Sequence, residues 1–337
     1  MIVRAMRIGS PPNLENIHLS SADVPAPQRG EIQVRIRANS LNFRDYIVAT
    51  GVLPSGAERI PLSDAAGEVV EVGADVTDFK AGDAVISVFH TAWLEGHIER
   101  SQLVKSPGGL IDGYACEYVT RPADAFTRAP AGLTHAEAAT LTCAGVTAWR
   151  ALVTDGQVKA GERVLVQGTG GVSIFALQFA KAAGATVIAT SSSAEKLARL
   201  KALGADHVIN YREHKDWGAA IVALTDGVGV DHVIEVGGPT TLPQSLIAAR
   251  TAGHVAIIGA VGGFQTDVIP FAVVQAKRLR LQGVTVGSRR DQLDMVRAIE
   301  ANGIRPVVDR SFPLEQLADA LRHLRAGKHF GKICIDV

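Results

Sequence analysis

Apolar and polar positions alternate through the first third of the chain, then give way to longer apolar periods. Residues 31–38 (EIQVRIRA) follow the period of two expected of a half-buried strand, and 67–73 (GEVVEVG) do much the same. Between them, 39–51 read as a compact turn and helix carrying Asn42, Arg44, Asp45 and Tyr46. A turn signal at 80–83 leads into a strand at 84–88. The stretch 90–113 has charges but no period and is expected to be a surface loop with little structure. Together these segments predict a small, irregular, beta-rich domain.

From about Thr134 the spacing becomes helical over 135–153. Strands follow at 163–167, 186–190, 208–210, 231–236 and 254–259, separated by helices at 172–184, 194–203, 215–224 and 242–250. Strands alternating with helices of this length need crossover connections, which predicts an α/β doubly wound parallel sheet with helices on both faces. A last strand at 279–284 precedes helices at 291–302 and 315–326 and a terminal strand at 332–337. This tail is too small to fold alone and is expected to return to the first domain. The expected organisation is therefore 1–130 with 285–337 as one domain and 131–284 as the other.

The chain has 337 residues, 47% hydrophobic and 20% charged, a globular composition large enough for two domains. Lys+Arg and Asp+Glu number 34 each and aromatics are 5%, so neither charge nor stacking residues point to a nucleic acid. Cys116, Cys143 and Cys334 are too few and too scattered for a disulfide scaffold or a four-thiolate zinc site. Residues 1–16 lack the apolar core of a signal peptide, and no apolar run approaches the roughly 18–20 residues that span a bilayer. The expectation is a cytoplasmic protein acting on a small molecule, with no membrane partner.

Candidate chemistry begins at Gly168, Thr169, Gly170, Gly171 and Val172, a glycine turn between an apolar strand and an apolar helix. Such a turn lets unpaired backbone N–H groups and the helix N-terminus approach a pyrophosphate. The full fingerprint would have glycine at Ser173. After the second strand the chain reads Thr190, Ser191, Ser192, Ser193, with Lys196 shortly beyond and no carboxylate at the strand tip. A carboxylate would grip the ribose 2'-hydroxyl of NAD(H), whereas serine hydroxyls and a lysine can hold a 2'-phosphate, so NADP(H) is favoured over NAD(H). The plainer alternative is that the serines cap the next helix and Lys196 is solvated.

With these residues in view, the chain resembles the medium-chain dehydrogenase/reductases, in their zinc-independent quinone and enone reductase-like branch. The resemblance rests on 39–45 (NSLNFRD), 66–73 (AGEVVEVG), 144–149 (AGVTAW), the glycine turn, 229–235 (GVDHVIE) and 329–332 (HFGK), and it covers nearly the whole chain. Segment 41–45 also resembles the enoyl reductase modules of polyketide synthases. The resemblance implies a GroES-like catalytic domain interrupted by a Rossmann domain, with the active site in the cleft between them. It implies a homodimer, Lys196 and Tyr211 on the 2'-phosphate, with a core aromatic as the alternative for Tyr211, and Val236, Gly237, Ile258, Gly259 and Ala260 beside the nicotinamide.

Zinc-dependent members of the superfamily place ligands at positions that here appear as Asn42, Ser63 with Asp64, and Cys143. Only Cys143 keeps a ligand type, which does not make a three-ligand catalytic site, so no metal is expected. Hydrogen-bond donors must then replace the Lewis acid, and the resemblance offers Asn42, Arg44, Tyr46, Ser63 and Thr147, with Asp45 orienting Arg44 or capping the helix. Donors suffice better for an enone or quinone, whose charge is delocalised, than for a simple ketone. The expected activity is hydride transfer from NADPH to an activated C=C or a quinone. An alcohol or aldehyde dehydrogenase and a non-catalytic, crystallin-like NADPH-binding protein are the alternatives.

Overall fold

The computed structural model of the protein describes residues 1–103, 106–259, 261–263 and 269–337. Two compact units emerge, Met1–Val146 with Val286–Val337, and Thr147–Thr285. In chain order the first unit opens with β1 (Ile2–Ile8), β2 (Ile17–Asp23), β3 (Glu31–Ser40), α1 (Phe43–Ala49), β4 (Asp64–Val72) and β5 (Ala84–Ser87). It continues with α2 (Arg100–Leu103), β6 (Tyr118–Pro122), β7 (Phe126–Arg128) and α3 (His135–Ala139).

After α4 (Val146–Trp149), the second unit runs β8 (Arg163–Gln167), α5 (Gly171–Ala182), β9 (Thr186–Ser191), α6 (Ala194–Ala202), β10 (His207–Asn210) and α7 (Trp217–Leu224). It closes with β11 (Val230–Glu235), α8 (Leu242–Ala248), β12 (Ala249–Ile257), α9 (Phe271–Ala276) and β13 (Arg280–Gly283). The chain then re-enters the first unit through α10 (Arg289–Asn302), β14 (Val308–Pro313), α11 (Leu317–Ala326) and β15 (Lys332–Asp336).

In the first unit the strands order as β14-β15-β3-β4-β5-β7, with β6 also on β3 and β1-β2 a separate antiparallel pair. The terminal strand β15 lies antiparallel to β3, with Cys334 opposite Ser40. Its apolar residues Ile333 and Ile335 join Val34, Ile36, Val69 and Leu321 in one core. In the second unit the order is β10-β9-β8-β11-β12-β13, and every pairing is parallel. The alternation of short strands and helices leaves no other way to close such a sheet. Among the described residues no helix is long and apolar enough to cross a membrane.

The helix expected over 135–153 is broken. Its start is capped by Thr134, which accepts from the Glu137 N–H, while Glu137 accepts from the Thr134 N–H. Wider π turns follow at Leu141–Gly145 and Arg150–Thr154, on either side of α4. The first π turn has a side-chain cause: the Cys143 N–H donates to Asp64, and Thr142 Oγ donates to the Ser87 carbonyl. The earlier part of this segment, α3, packs on β3 and β4, so the compact first unit extends to Val146 rather than ending at 130.

The segment 90–113 is solvated in its middle, where 94–101 are mostly exposed, but its two ends are buried, which its lack of period did not show. His90 and Trp93 are each 2% exposed, and residues 106–109 are buried. Trp93 Nε1 donates to the Gly96 carbonyl, and His90 sits 4.7 Å from the Phe89 ring, edge to face. Gly113 shows how tightly the segment packs, since a Cβ there would lie 2.1 Å from the Leu62 carbonyl oxygen. Irregular backbone need not be exposed when its aromatic side chains turn inward. Trp93→Ala is accordingly expected to cost about 3–5 kcal/mol in chemical denaturation, as for a large core deletion. A loss within about 0.5 kcal/mol would return the segment to the surface.

Candidate functional site

In the second unit the glycine turn connects β8 to α5. Gly168 sits at φ +69°, and a Cβ on Gly168 or Gly170 would meet nothing within 4 Å, so the turn presents an open backbone face. Gly170 is the N-cap of α5 and no side chain caps that helix, so its first N–H groups, with Gly171 and Val172 leading, keep their capacity for an anion. Thr169 is buried beside them. Ser173, where the fingerprint would have glycine, is 1% exposed and donates from Oγ to the Gln167 carbonyl at 2.6 Å. Its hydroxyl is folded back into the turn and leaves the face clear. These features fit a dinucleotide pyrophosphate.

At the end of β9, Ser191 is buried and Ser192 half-buried, and Ser193 is the residue that caps α6, accepting from the Lys196 N–H. Tyr211 is 41% exposed, which excludes a core aromatic, and its N–H donates to the Ser191 carbonyl. Ser191, Lys196 and Tyr211 are thus tied to one strand end. Val236, Gly237, Ile258 and Gly259 follow the ends of β11 and β12, the side on which parallel sheets bind ligands. Ala260 lies outside the described residues.

The first unit holds a buried polar cluster built by β3, α1, β4, the π turn and β15. Lys332, 4% exposed, donates from Nζ to the Leu41 carbonyl and, at 2.6 Å, to Asn42 Oδ1. Asp64 is fully buried and accepts from Ser63 Oγ at 2.8 Å and from the Cys143 N–H at 3.2 Å. Asp45, 1% exposed, accepts from the Asn42 N–H at 2.8 Å and so closes the first turn of α1. Asn42 Nδ2 is buried without a hydrogen bond of ordinary length, although the amide still eases the charge on Asp64.

Charge in this cluster is governed by desolvation. Burial pushes the Asp64 carboxyl up, opposed by the Lys332 ammonium and the donors around it. Burial likewise pushes Asp45 up to about 6, with Arg44 opposing and Asp64 reinforcing the shift. The Cys143 thiol is pushed up by burial and by Asp64, which keeps it protonated.

Other expected donors go elsewhere. Arg44 donates to Ser106 Oγ at 2.7 Å and to the Pro107 carbonyl at 3.0 Å, and its guanidinium lies 5.2 Å over the Phe89 ring. It is 3.9 Å from Asp45, so its main contacts hold the 106–107 segment. Tyr46 stacks on Phe43, lies under Arg325 of α11 and packs against the core. Thr147 is buried in α4 and belongs to the second unit. The structure brings together Asn42, Asp45 and Ser63, and adds Lys332, a residue not singled out from the sequence except within the 329–332 match. A lone lysine opening the apolar strand KICI was the available signal.

The donor set does not fit a catalytic zinc. Such a site wants three anionic or imidazole ligands, and the thiolate form of cysteine. Here Asn42 Oδ1 is occupied by an ammonium, and both Asp64 oxygens already accept hydrogen bonds, which leaves Cys143 as the one ligand of zinc-binding type in the set. Among the described residues no group of three His, Cys, Asp or Glu side chains is arranged for a metal.

Asp45 carries a pH signature. Its carboxyl ionises near 3.8 in the unfolded chain and at about 6 in the folded protein. The folded state therefore holds a proton that the unfolded state releases, and stability from this group falls as pH rises through that window, by about 3 kcal/mol. Asp45→Asn keeps an acceptor for the Asn42 N–H and removes the titration. In urea denaturation the variant is expected to gain on the wild type by about 2 kcal/mol between pH 4.5 and 7. A difference that stays flat with pH would contradict this.

Comparison with known proteins agrees with the fold of the two units. The Alcohol dehydrogenase GroES-like domain family matches residues 28–131, and the Zinc-binding dehydrogenase family matches 171–301. A zinc-type alcohol dehydrogenase-like protein of Schizosaccharomyces pombe is 42% identical over 95% of both chains. Among solved structures, an NAD-dependent alcohol dehydrogenase superposes with TM-score 0.91 at 33% identity, covering 99% of each chain. A quinone oxidoreductase of Pseudomonas syringae pv. Tomato DC3000 superposes with TM-score 0.84 at 27% identity, covering 99% of this chain and 100% of that one. With its GroES-like unit, its parallel-sheet dinucleotide unit and these relatives, the chain belongs to the medium-chain dehydrogenase/reductase superfamily of nicotinamide-dependent oxidoreductases.

Proposed function

We propose that the protein is an NADPH-dependent reductase that delivers hydride to the activated C=C of an enone or enal, or to a quinone, without a metal. The observation that carries this reading is the grip of Lys332 on Asn42, at a position where the resemblance puts a zinc ligand in metal-dependent members. The reduced nicotinamide, when bound, supplies the hydride with its electron pair. What the chain must supply is stabilisation of the negative charge that then gathers on substrate oxygen.

Asn42 Oδ1 is committed to Lys332, which leaves Nδ2 as a buried donor that eases Asp64 without a hydrogen bond of ordinary length. The ammonium also offsets Asp64, which would otherwise repel developing negative charge. One ammonium and one amide offer less than a Lewis-acidic dication. Substrates that spread the charge into an enolate or hydroquinone ask less of such a site than an alkoxide does. One proton, taken from solvent and added to the enolate carbon or to the hydroquinone anion's oxygen, completes the two-electron reduction.

Preference for NADPH rests on Ser191, Ser192 and Lys196 at the tip of β9, where no carboxylate stands, with Tyr211 beside them. A second reading, oxidation of alcohols or aldehydes, draws on the alcohol dehydrogenase names among the relatives.

The test uses protein dialysed against a chelator and assayed for NADPH oxidation with 2-cyclohexenone, trans-2-hexenal and 1,4-benzoquinone. Turnover that survives chelation is the expected result. Alcohol-dependent NADP+ reduction restored by added zinc would replace this reading with the second. Thermal stabilisation by NADPH with no turnover on the panel would mark a non-catalytic binder. Lys196→Ala is expected to raise KM for NADPH about tenfold, the loss of one charge-assisted hydrogen bond, and to leave KM for NADH unchanged. Equal effects on both cofactors would remove Lys196 from the 2'-phosphate.

A further inference from the structure

Glu235, the last residue of β11, has no exposed surface. A buried carboxylate is costly unless donors surround it, and replacing it with an apolar residue is often the more stable choice. Among the described residues no lysine, arginine or histidine forms a salt bridge with it, so hydrogen bonds alone satisfy its charge. Oε1 accepts from the Gly237 N–H at 2.8 Å, the Gly238 N–H at 2.9 Å and Thr241 Oγ at 2.6 Å. Oε2 accepts from Gln167 Nε2 at 3.0 Å and from Ser245 Oγ. The Glu235 main-chain carbonyl accepts from the Ile258 N–H at 2.9 Å.

One residue thus ties together the backbone leaving three neighbouring parallel strands. Gln167 is the last residue of β8 and immediately precedes the glycine turn. Gly237 and Gly238 begin the loop after β11, and Ile258 begins the segment after β12. The Gly262 N–H in turn donates to the Gly237 carbonyl at 2.9 Å, which extends the connection further along the third loop. Strand ends of this kind are where doubly wound sheets take their ligands. Sites built on a rigid support hold a ligand more closely than free loops do.

We propose that Glu235 is a positioning residue for the nicotinamide half of the cofactor, acting by shaping the 236–241 loop and holding it against the segments that follow β8 and β12. The proposal rests on the reading of the second unit as a nicotinamide dinucleotide site. Its chemistry also predicts which substitution is tolerated. In Glu235→Gln the new amide nitrogen would face former donors, but Gln167 Oε1 has no partner and can turn to accept from it, while the Ser245 hydroxyl can rotate. Glu235→Leu offers nothing to the same five donors.

The experiment measures dissociation constants of full-length wild type, Glu235→Gln and Glu235→Leu for whichever of NADPH and NADH the wild type binds more tightly. Each protein is also titrated with the matching nicotinamide-free fragment, 2'-phospho-ADP-ribose or ADP-ribose. The leucine variant is expected to weaken the intact cofactor about tenfold or more and the fragment less than about threefold, with the glutamine variant near wild type for both. Equal weakening of cofactor and fragment would make Glu235 merely structural and overturn the proposal, as would no change in either. Should Glu235→Leu fail to fold, Thr241→Val removes one donor from the same carboxylate and is expected to show the same split at a smaller, about threefold, effect. A wild type that binds neither cofactor would overturn the dinucleotide reading itself, a result distinct from a missing split.

Discussion

The first unit is organised around the need to bury negative charge next to a single ammonium. Asp45 and Asp64 are both removed from water, and Lys332 faces the same polar group from the opposite strand. That arrangement accounts for several features that otherwise look unrelated. It explains why the chain returns at its C-terminus to β3, because only β15 brings Lys332 to Leu41 and Asn42. It explains the π turn at Leu141–Gly145, whose Cys143 N–H is diverted to Asp64. The same placement leaves the Asn42 amide with its oxygen committed to Lys332 and its nitrogen easing the charge on Asp64.

A buried carboxylate organises the second unit as well, by different means. Glu235 has no ammonium beside it and is held by five donors, two of them backbone N–H groups of the loop it shapes. Hydrogen bonds to a charged acceptor are stronger than neutral ones and are directional. A hub of this kind therefore fixes the course of the surrounding backbone more firmly than apolar packing would. In each unit the apolar cores pack separately from these polar groups.

Much of this was legible in the sequence, and the reason is local. Period-two alternation in β3 and β4, and the strand–turn–helix of β8 and α5, depend on side-chain patterns a few residues long. The glycine turn, the serines after β9 and the absence of a carboxylate there are also local facts. Ser173 stood as a departure from the fingerprint, and its bond to the Gln167 carbonyl shows how a small hydroxyl residue serves at that place.

Other features required distant parts of the chain to meet. The burial of His90 and Trp93 could not be read from a stretch lacking a period, because irregular backbone is silent about which side faces the core. Arg44 and Tyr46 sit two residues apart on one short helix, yet one holds the 106–107 segment and the other packs on α11. Lys332 and Asn42 lie 290 residues apart in the chain. The sequence by itself determined the two unit types and the residue chemistry of the dinucleotide turn, since periodicity and glycine placement act over short range. Only the tertiary structure decided which polar side chains share a desolvated space, because that depends on strand order and on which charges burial forces together.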